Sequence, residues 1–125
     1  MEKMKLHPQL TIRIVADQKC FGPGIAALLH RVQELHSLRA AAADMAMAYS
    51  KAWTILHQAE QELGCKLLYS SVGGKHGGGA TLTQEAELLL AAYEAYCERL
   101  NRSGETLFHE IFSPVLQQIS ESKLS

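Results

Sequence analysis

The spacing of hydrophobic positions changes several times along the chain, and each change marks an element. Residues 10–16, LTIRIVA, alternate and carry β-branched side chains, which predicts a strand. CFGPG at 20–24 reads as the turn that ends it. From there the period lengthens. Ile25, Leu28, Leu29, Val32 and Leu35 recur at helical spacing and predict a helix over 24–36, with Arg31, Gln33 and Glu34 toward solvent. Ser37 suits the N-cap of the next helix, 38–45, whose LRAAAADM is almost all small side chains. Propensity alone would carry that helix through MAMA at 45–48, and only the shift in periodicity marks a turn there. The next helix, 49–63, turns Ala52, Leu56, Ala59 and Leu63 inward. Tyr49, Ser50, Lys51, Thr54, His57, Gln58 and Gln61 fall on or near its other side, and Gly64 ends it.

KLLYSSV at 66–72 predicts a second strand. GGKHGGG at 73–79 is neither helix nor regular strand, because its glycines cost too much backbone entropy and pack nothing. ATL at 80–82 is a returning strand, so 66–82 forms a β-hairpin wing. Thr83, with Glu85 and Glu87 behind it, caps a long helix that lines up Ala86, Leu89, Leu90, Tyr93, Tyr96 and Cys97. Residues 101–104, NRSG, are expected to interrupt it. A last amphipathic helix then carries Leu107, Phe108, Ile111, Phe112, Val115, Leu116 and Ile119, with Pro114 at a break or kink and the tail SESKLS frayed. Helix, turn, helix and wing in this order predict an α+β, mainly helical protein: a winged helix-turn-helix over 1–83, continuous with C-terminal helices over 84–120. Those last helices carry more apolar surface than three small helices cover. Pairing of two copies through them is the expected outlet, against a fold-back over the core of one copy.

Composition narrows the function classes. A 47% apolar content supplies a core, and no apolar run approaches the roughly 18 residues of a membrane span. The start, MEKMKLHPQLTIRIV, lacks a signal-peptide block, so a cytoplasmic location is expected. Cys20, Cys65 and Cys97 are far apart and form no CxxC pair, which fits reduced, partly buried thiols. The histidines show no HExxH spacing, Cys97 has no sequence-level base, and GGKHGGG lacks the GxxxxGK[ST] spacing of a P-loop. No enzyme, metal or cofactor is expected. The formal charge of −1 weighs against nucleic-acid binding, but its distribution is uneven. Lys3, Lys5, Arg13 and Lys19 stand against Glu2 and Asp17 at the start, while seven acids from Glu85 to Glu121 face only Arg99, Arg102 and Lys123.

YSKAW at 49–53, joined at this spacing to GGKHGGGATLT at 73–83 and to FGPG at 21–24, resembles the N-terminal DNA-binding domain of the molybdate-responsive transcriptional regulators. That domain is a relative of the LysR-type winged helix. The resemblance covers roughly 10–96 and implies a dimeric cytoplasmic regulator, with Tyr49, Ser50 and Lys51 opening the recognition helix and 73–79 as the wing tip. It also implies that molybdate is bound by a C-terminal module of small β-barrel repeats, to which nothing here corresponds, so this chain alone is not expected to bind molybdate. Two positions depart from the family pattern. Ala48 stands where a capping serine is usual, and Ser70 where the wing strand usually carries an arginine.

The candidate DNA contacts are Tyr49, Ser50, Lys51, Thr54, His57 and Gln58 on the recognition helix, with Lys75 and His76 in the glycine loop reaching phosphate or the minor groove. The plainer reading of the helix residues is a solvated face. Trp53, the sole tryptophan, is read as a brace against the wing or first helix, and Met45 and Met47 as packing. Two functions stand side by side: a homodimeric regulator of an inverted-repeat duplex, and a winged-helix interaction module that has lost DNA binding.

Overall fold

In the computed structural model, which describes residues 5–71 and 79–124, eight elements follow one another. They are β1 (Ile14–Val15), β2 (Lys19–Phe21), α1 (Pro23–Leu35), α2 (Leu38–Asp44), α3 (Tyr49–Leu63), β3 (Leu68–Ser71), β4 (Gly79–Leu82) and α4 (Gln84–Leu124). The fold is mainly helical with two small antiparallel hairpins, β1–β2 and β3–β4. The chain divides into two compact units, Ile12–Tyr93 and a second formed by Met1–Thr11 with Glu94–Ser125.

The larger unit is built on leucines and alanines. Leu28, Leu29 and Val32 of α1 are fully buried and meet Ala41 and Ala42 of α2, Ala52, Leu56 and Ala59 of α3, and Leu82, Ala86 and Leu90. Alanine at the contacts lets the helix backbones come close, which is why so short a helix as α2 holds its place. Ser37 caps α2 as expected, its hydroxyl accepting from the Ala40 N–H at 3.0 Å. The α2–α3 turn falls at 45–48. Met47 N–H donates to the Ala42 carbonyl at 2.9 Å, and Ala46 sits in the left-handed region (φ 54°), where a side chain is strained. Gly64, also left-handed (φ 74°), closes α3 as expected.

The wing is a hairpin in register, pairing Leu68 with Leu82, Tyr69 with Thr81, Ser70 with Ala80 and Ser71 with Gly79. Its root is fixed by Thr83, 1% exposed. The Thr83 hydroxyl donates to the Lys66 carbonyl at 2.7 Å and accepts from the Ala86 N–H at 3.0 Å, while Thr83 N–H donates to the Leu67 carbonyl at 3.0 Å. Leu67 N–H in turn donates to the Glu60 carboxylate at 2.8 Å, tying the strand to α3.

The first strand is shorter than the pattern at 10–16 suggests. A strand extends only as far as its partner does, and that partner is the three-residue β2, placed where a turn was expected. Gly22 and Pro23 then end β2, because proline has no N–H to donate.

The interruption expected at 101–104 is absent, and at Pro114, where a break or kink was expected, the helix does not break: α4 runs over 41 residues to Leu124, into the tail expected to fray. A glycine costs a helix about 1 kcal/mol, too little to stop one that good helix formers propagate from both sides. Arg102 pairs with Glu98 at 2.7 Å and Thr106 Oγ1 donates to the Arg102 carbonyl at 3.3 Å across this stretch. Gly104 also packs closely on the N-terminal segment; a Cβ there would lie 3.1 Å from Leu10 Cδ1. Pro114 removes one bond from the ladder at a cost of order 3 kcal/mol, which the rest of a long helix absorbs.

Two outcomes follow. Thr83→Val keeps the volume but deletes both hydroxyl bonds in a buried site, and is expected to lower the unfolding free energy by about 1–3 kcal/mol in chemical denaturation. Ala48→Ser supplies the hydroxyl that the first turn of α3 lacks, on a residue that is already extended (φ −63°, ψ 140°) and exposed. A gain of about 1 kcal/mol is expected from the same measurement.

Candidate nucleic-acid interface

The inward stripe of α3 is Ala52, Leu56 and Ala59, so the residues between them stand on the outside. Tyr49, Ser50, Lys51, Thr54 and Gln61 are exposed, and His57 and Gln58 are half-buried. The structure thus gathers all six helix candidates on one element, though not on one stripe. Lys51 and Gln58, seven residues apart, share the edge that faces the β1–β2 hairpin, where both line a cleft of about 500 Å³. Tyr49, Trp53 and His57 follow the other edge. Thr54 Oγ1 donates to the Ser50 carbonyl at 2.9 Å, which leaves its lone pairs open to a donor. Lys75 and His76 lie outside the described residues.

Among the described residues, the ring contact of Trp53 is with His57 of its own helix rather than with the wing or α1. It is 47% exposed and stacks on His57, with ring centroids 3.6 Å apart and planes 19° from parallel. The His57 Nδ1 lies 3.0 Å from the Trp53 carbonyl. A carbonyl only accepts, so the contact requires the Nδ1–H tautomer. Nε2 is then the remaining acceptor in the neutral ring and a donor in the protonated one. The two rings stiffen each other on the outer surface of the helix.

Three cations escaped notice as site residues in the sequence because they sit on other elements. The Arg39 guanidinium of α2 lies 4.2 Å from the centroid of the Tyr49 ring, and so fixes the first residue of α3. Arg13 and Lys19, from the β1–β2 hairpin, line the same cleft as Lys51. No local spacing signals this convergence, since it depends on how the hairpin packs against α3. The alanine at position 48 makes no side-chain bond to the first turn of α3, as the sequence implied, and Ser70 on β3 is exposed.

Other chemistry is sparse. Among the described residues no group of three or more His, Cys, Asp or Glu side chains is arranged to hold a metal, and no helix is long and apolar enough to cross a membrane. All three cysteines are free thiols. Burial pushes the Cys65 thiol up, and the carboxylates of Glu85 and Glu60 add to the effect, so it stays protonated at neutral pH.

Residues 26–87 match the family model of the bacterial regulatory helix-turn-helix proteins of the lysR family. The transcriptional regulator ModE of Haemophilus influenzae is 33% identical over 82% of this chain, and the dual regulator ModE of Escherichia coli K12 is 25% identical over the same share. A molybdenum-pterin-binding protein of Rhodobacter capsulatus, MopB, is 38% identical over 55% of the chain. The chain spans 39% of the length of the two ModE proteins and 26% of MopB. The matched span runs from α1 through the wing to the first turn of α4. The chain therefore carries a winged helix-turn-helix domain related to the ModE and LysR-type transcriptional regulators.

Proposed function

We propose that this protein is a transcriptional regulator that binds a specific duplex DNA site as a homodimer. The observation that carries the reading is the outer face of α3. Ser50, Lys51, Thr54 and Gln61 are exposed on a helix whose other side is locked into the core, and the hairpin root of a wing follows directly. Such a helix lies in a major groove with its N-terminal residues nearest the base edges. Lys51 then meets phosphate, and Gln58 offers the amide geometry that pairs with adenine. Lys75 and His76 in the wing tip would reach the flanking backbone or minor groove.

The homodimer rests on the second unit. Leu107, Ile111, Phe112, Val115 and Ile119 of α4 are all about half-exposed or more, and Ile111 reaches 61%. Phe108 stacks on Phe112 at 4.9 Å within the same stripe. A contiguous apolar face of this kind in water favours self-association, and a two-fold pair presents two copies of α3 to an inverted repeat. The competing reading, an interaction module without DNA affinity, draws on Ala48, which leaves α3 uncapped at the end that would enter the groove.

Genomic footprinting and gel shifts at moderate salt separate the two. Protection of one inverted-repeat site, tighter than random duplex by about 10³-fold or more, is expected. Equal affinity for all duplexes would reject sequence-specific regulation. Within a specific complex, Gln58→Ala is expected to relax preference at one base position at a cost of about 1–3 kcal/mol. For the dimer, Ile111→Glu buries a charge in the pairing face. Sedimentation should show a monomer where the wild type shows a dimer, and a monomeric wild type would remove that half of the proposal.

A further inference from the structure

The cleft beside α3 has more to it than one edge of the recognition helix. Arg13 and Lys19 come to it from the β1–β2 hairpin and Lys51 from α3. No acidic side chain lines it, and among the described residues none of the three cations has an ion-pair partner. Its floor is apolar, formed by the buried Phe21 and Ile25 with the half-buried Ile55. Arg13 is held there by shape. Its Cγ would lie 3.3 Å from a Cβ at position 22, so its stem crosses the chain where Gly22 leaves room.

Three like charges converging on one cleft repel one another, and an anion relieves that repulsion. The apolar floor strengthens each attraction by excluding water, and its size and character suit a sugar face next to a phosphate. Because Lys51 and Gln58 belong both to this cleft and to the proposed reading helix, a polyanion lying along α3 enters the cleft as a matter of course. We infer that the β1–β2 hairpin is a third DNA-contacting element. Arg13 and Lys19, acting with Lys51, grip a phosphodiester segment at the edge of the groove that α3 enters. This rests on the DNA reading above and extends it to a part of the chain outside the helix-turn-helix and wing.

The test is fluorescence anisotropy of the full chain on the footprinted duplex and on a random duplex, over about 50–200 mM salt. Arg13→Gln and Lys19→Gln are each expected to weaken both duplexes by the same factor, about 3–10-fold, and to lower the salt slope by about one; the double variant should lower it by about two. Gly24→Glu provides an independent probe. Position 24 lines the cleft, a Cβ there meets nothing within 4 Å, and an acid in the first turn of α1 suits the helix. That variant should weaken duplex binding while its melting temperature equals or exceeds that of the wild type. Lys51→Gln is the reference. If it lowers the slope while Arg13→Gln, Lys19→Gln and Gly24→Glu leave affinity and slope unchanged, the hairpin is not in the interface. The inference then falls and the DNA reading stands. A change in sequence preference at constant slope would make Arg13 or Lys19 a base reader and overturn the phosphate assignment. A wild type that binds neither duplex overturns both readings together.

Discussion

A single buried hydroxyl holds the functional elements in their relative places. Thr83 donates to the carbonyl of Lys66 ahead of β3, accepts the Ala86 N–H at the start of α4, and through its own N–H binds the Leu67 carbonyl. One residue therefore closes the base of the wing hairpin and begins the long helix. The Glu60 carboxylate extends the network to α3 by accepting the Leu67 N–H. Without these bonds the carbonyl of Lys66 and the first N–H groups of α4 would lose partners in an enclosed site, which is the costly way to lose a hydrogen bond. The consequence is geometric. These bonds hold α3 and the wing root together, so a duplex bound as proposed would meet a preset pair of surfaces.

At its N-terminal end α3 is held differently. No side chain caps it, and the preceding turn places Ala46 in a left-handed conformation that glycine adopts more easily. Packing replaces capping there. Ala52 and Ala59 are wholly buried against the core, and Arg39 stacks on Tyr49 from α2. The core bonds of α3 thus come from its inner stripe, and its outer stripe is left to polar residues whose work is outside the molecule. Trp53 and His57 break that division. They spend an aromatic pair on the surface, where it contributes little to the core and stiffens the face that α3 presents.

The helices, the wing and the caps were legible in the sequence because each rests on local chemistry. The period of Ile25, Leu28, Leu29 and Val32, the serine before Leu38 and the glycine after Leu63 act within one or two turns. Errors came where distant packing decides. The β2 strand is three residues long and reads as the start of a turn, because Gly22 and Pro23 follow it directly. Gly104 and Pro114 are helix breakers by propensity, yet α4 continues through both, since breaking a long helix loses more than one weak residue costs. Trp53 was expected to brace α3 against the wing or first helix because a ring that large usually packs on a neighbour, and its neighbours in sequence say nothing about which side of α3 is covered. Arg13 and Lys19 were counted only as charge, because the cleft that unites them with Lys51 is made by tertiary contact between the hairpin and α3.

Charge shows most plainly why a sum over the chain is a poor guide to binding. A formal net charge of −1 suggests a surface indifferent to phosphate. The acids that set that sum are concentrated on α4, where Glu98 neutralises Arg102 and Glu105 faces His109 at 3.6 Å. Arg31 is likewise consumed by Asp44 at 2.8 Å, between α1 and α2. Among the described residues, Arg13, Lys19 and Lys51 have no ion-pair partner, and all three line the cleft on one side of α3. The field a duplex would feel falls off within about 8 Å at physiological salt, so it is set by the charges nearest the point of contact rather than by the sum over the chain. Near-neutrality of the whole chain and a cationic cleft beside α3 are therefore compatible. The acids can favour solubility while the unpaired cations supply the local attraction, and a weaker non-specific pull from the rest of the surface leaves more of the discrimination to the base edges that α3 would read.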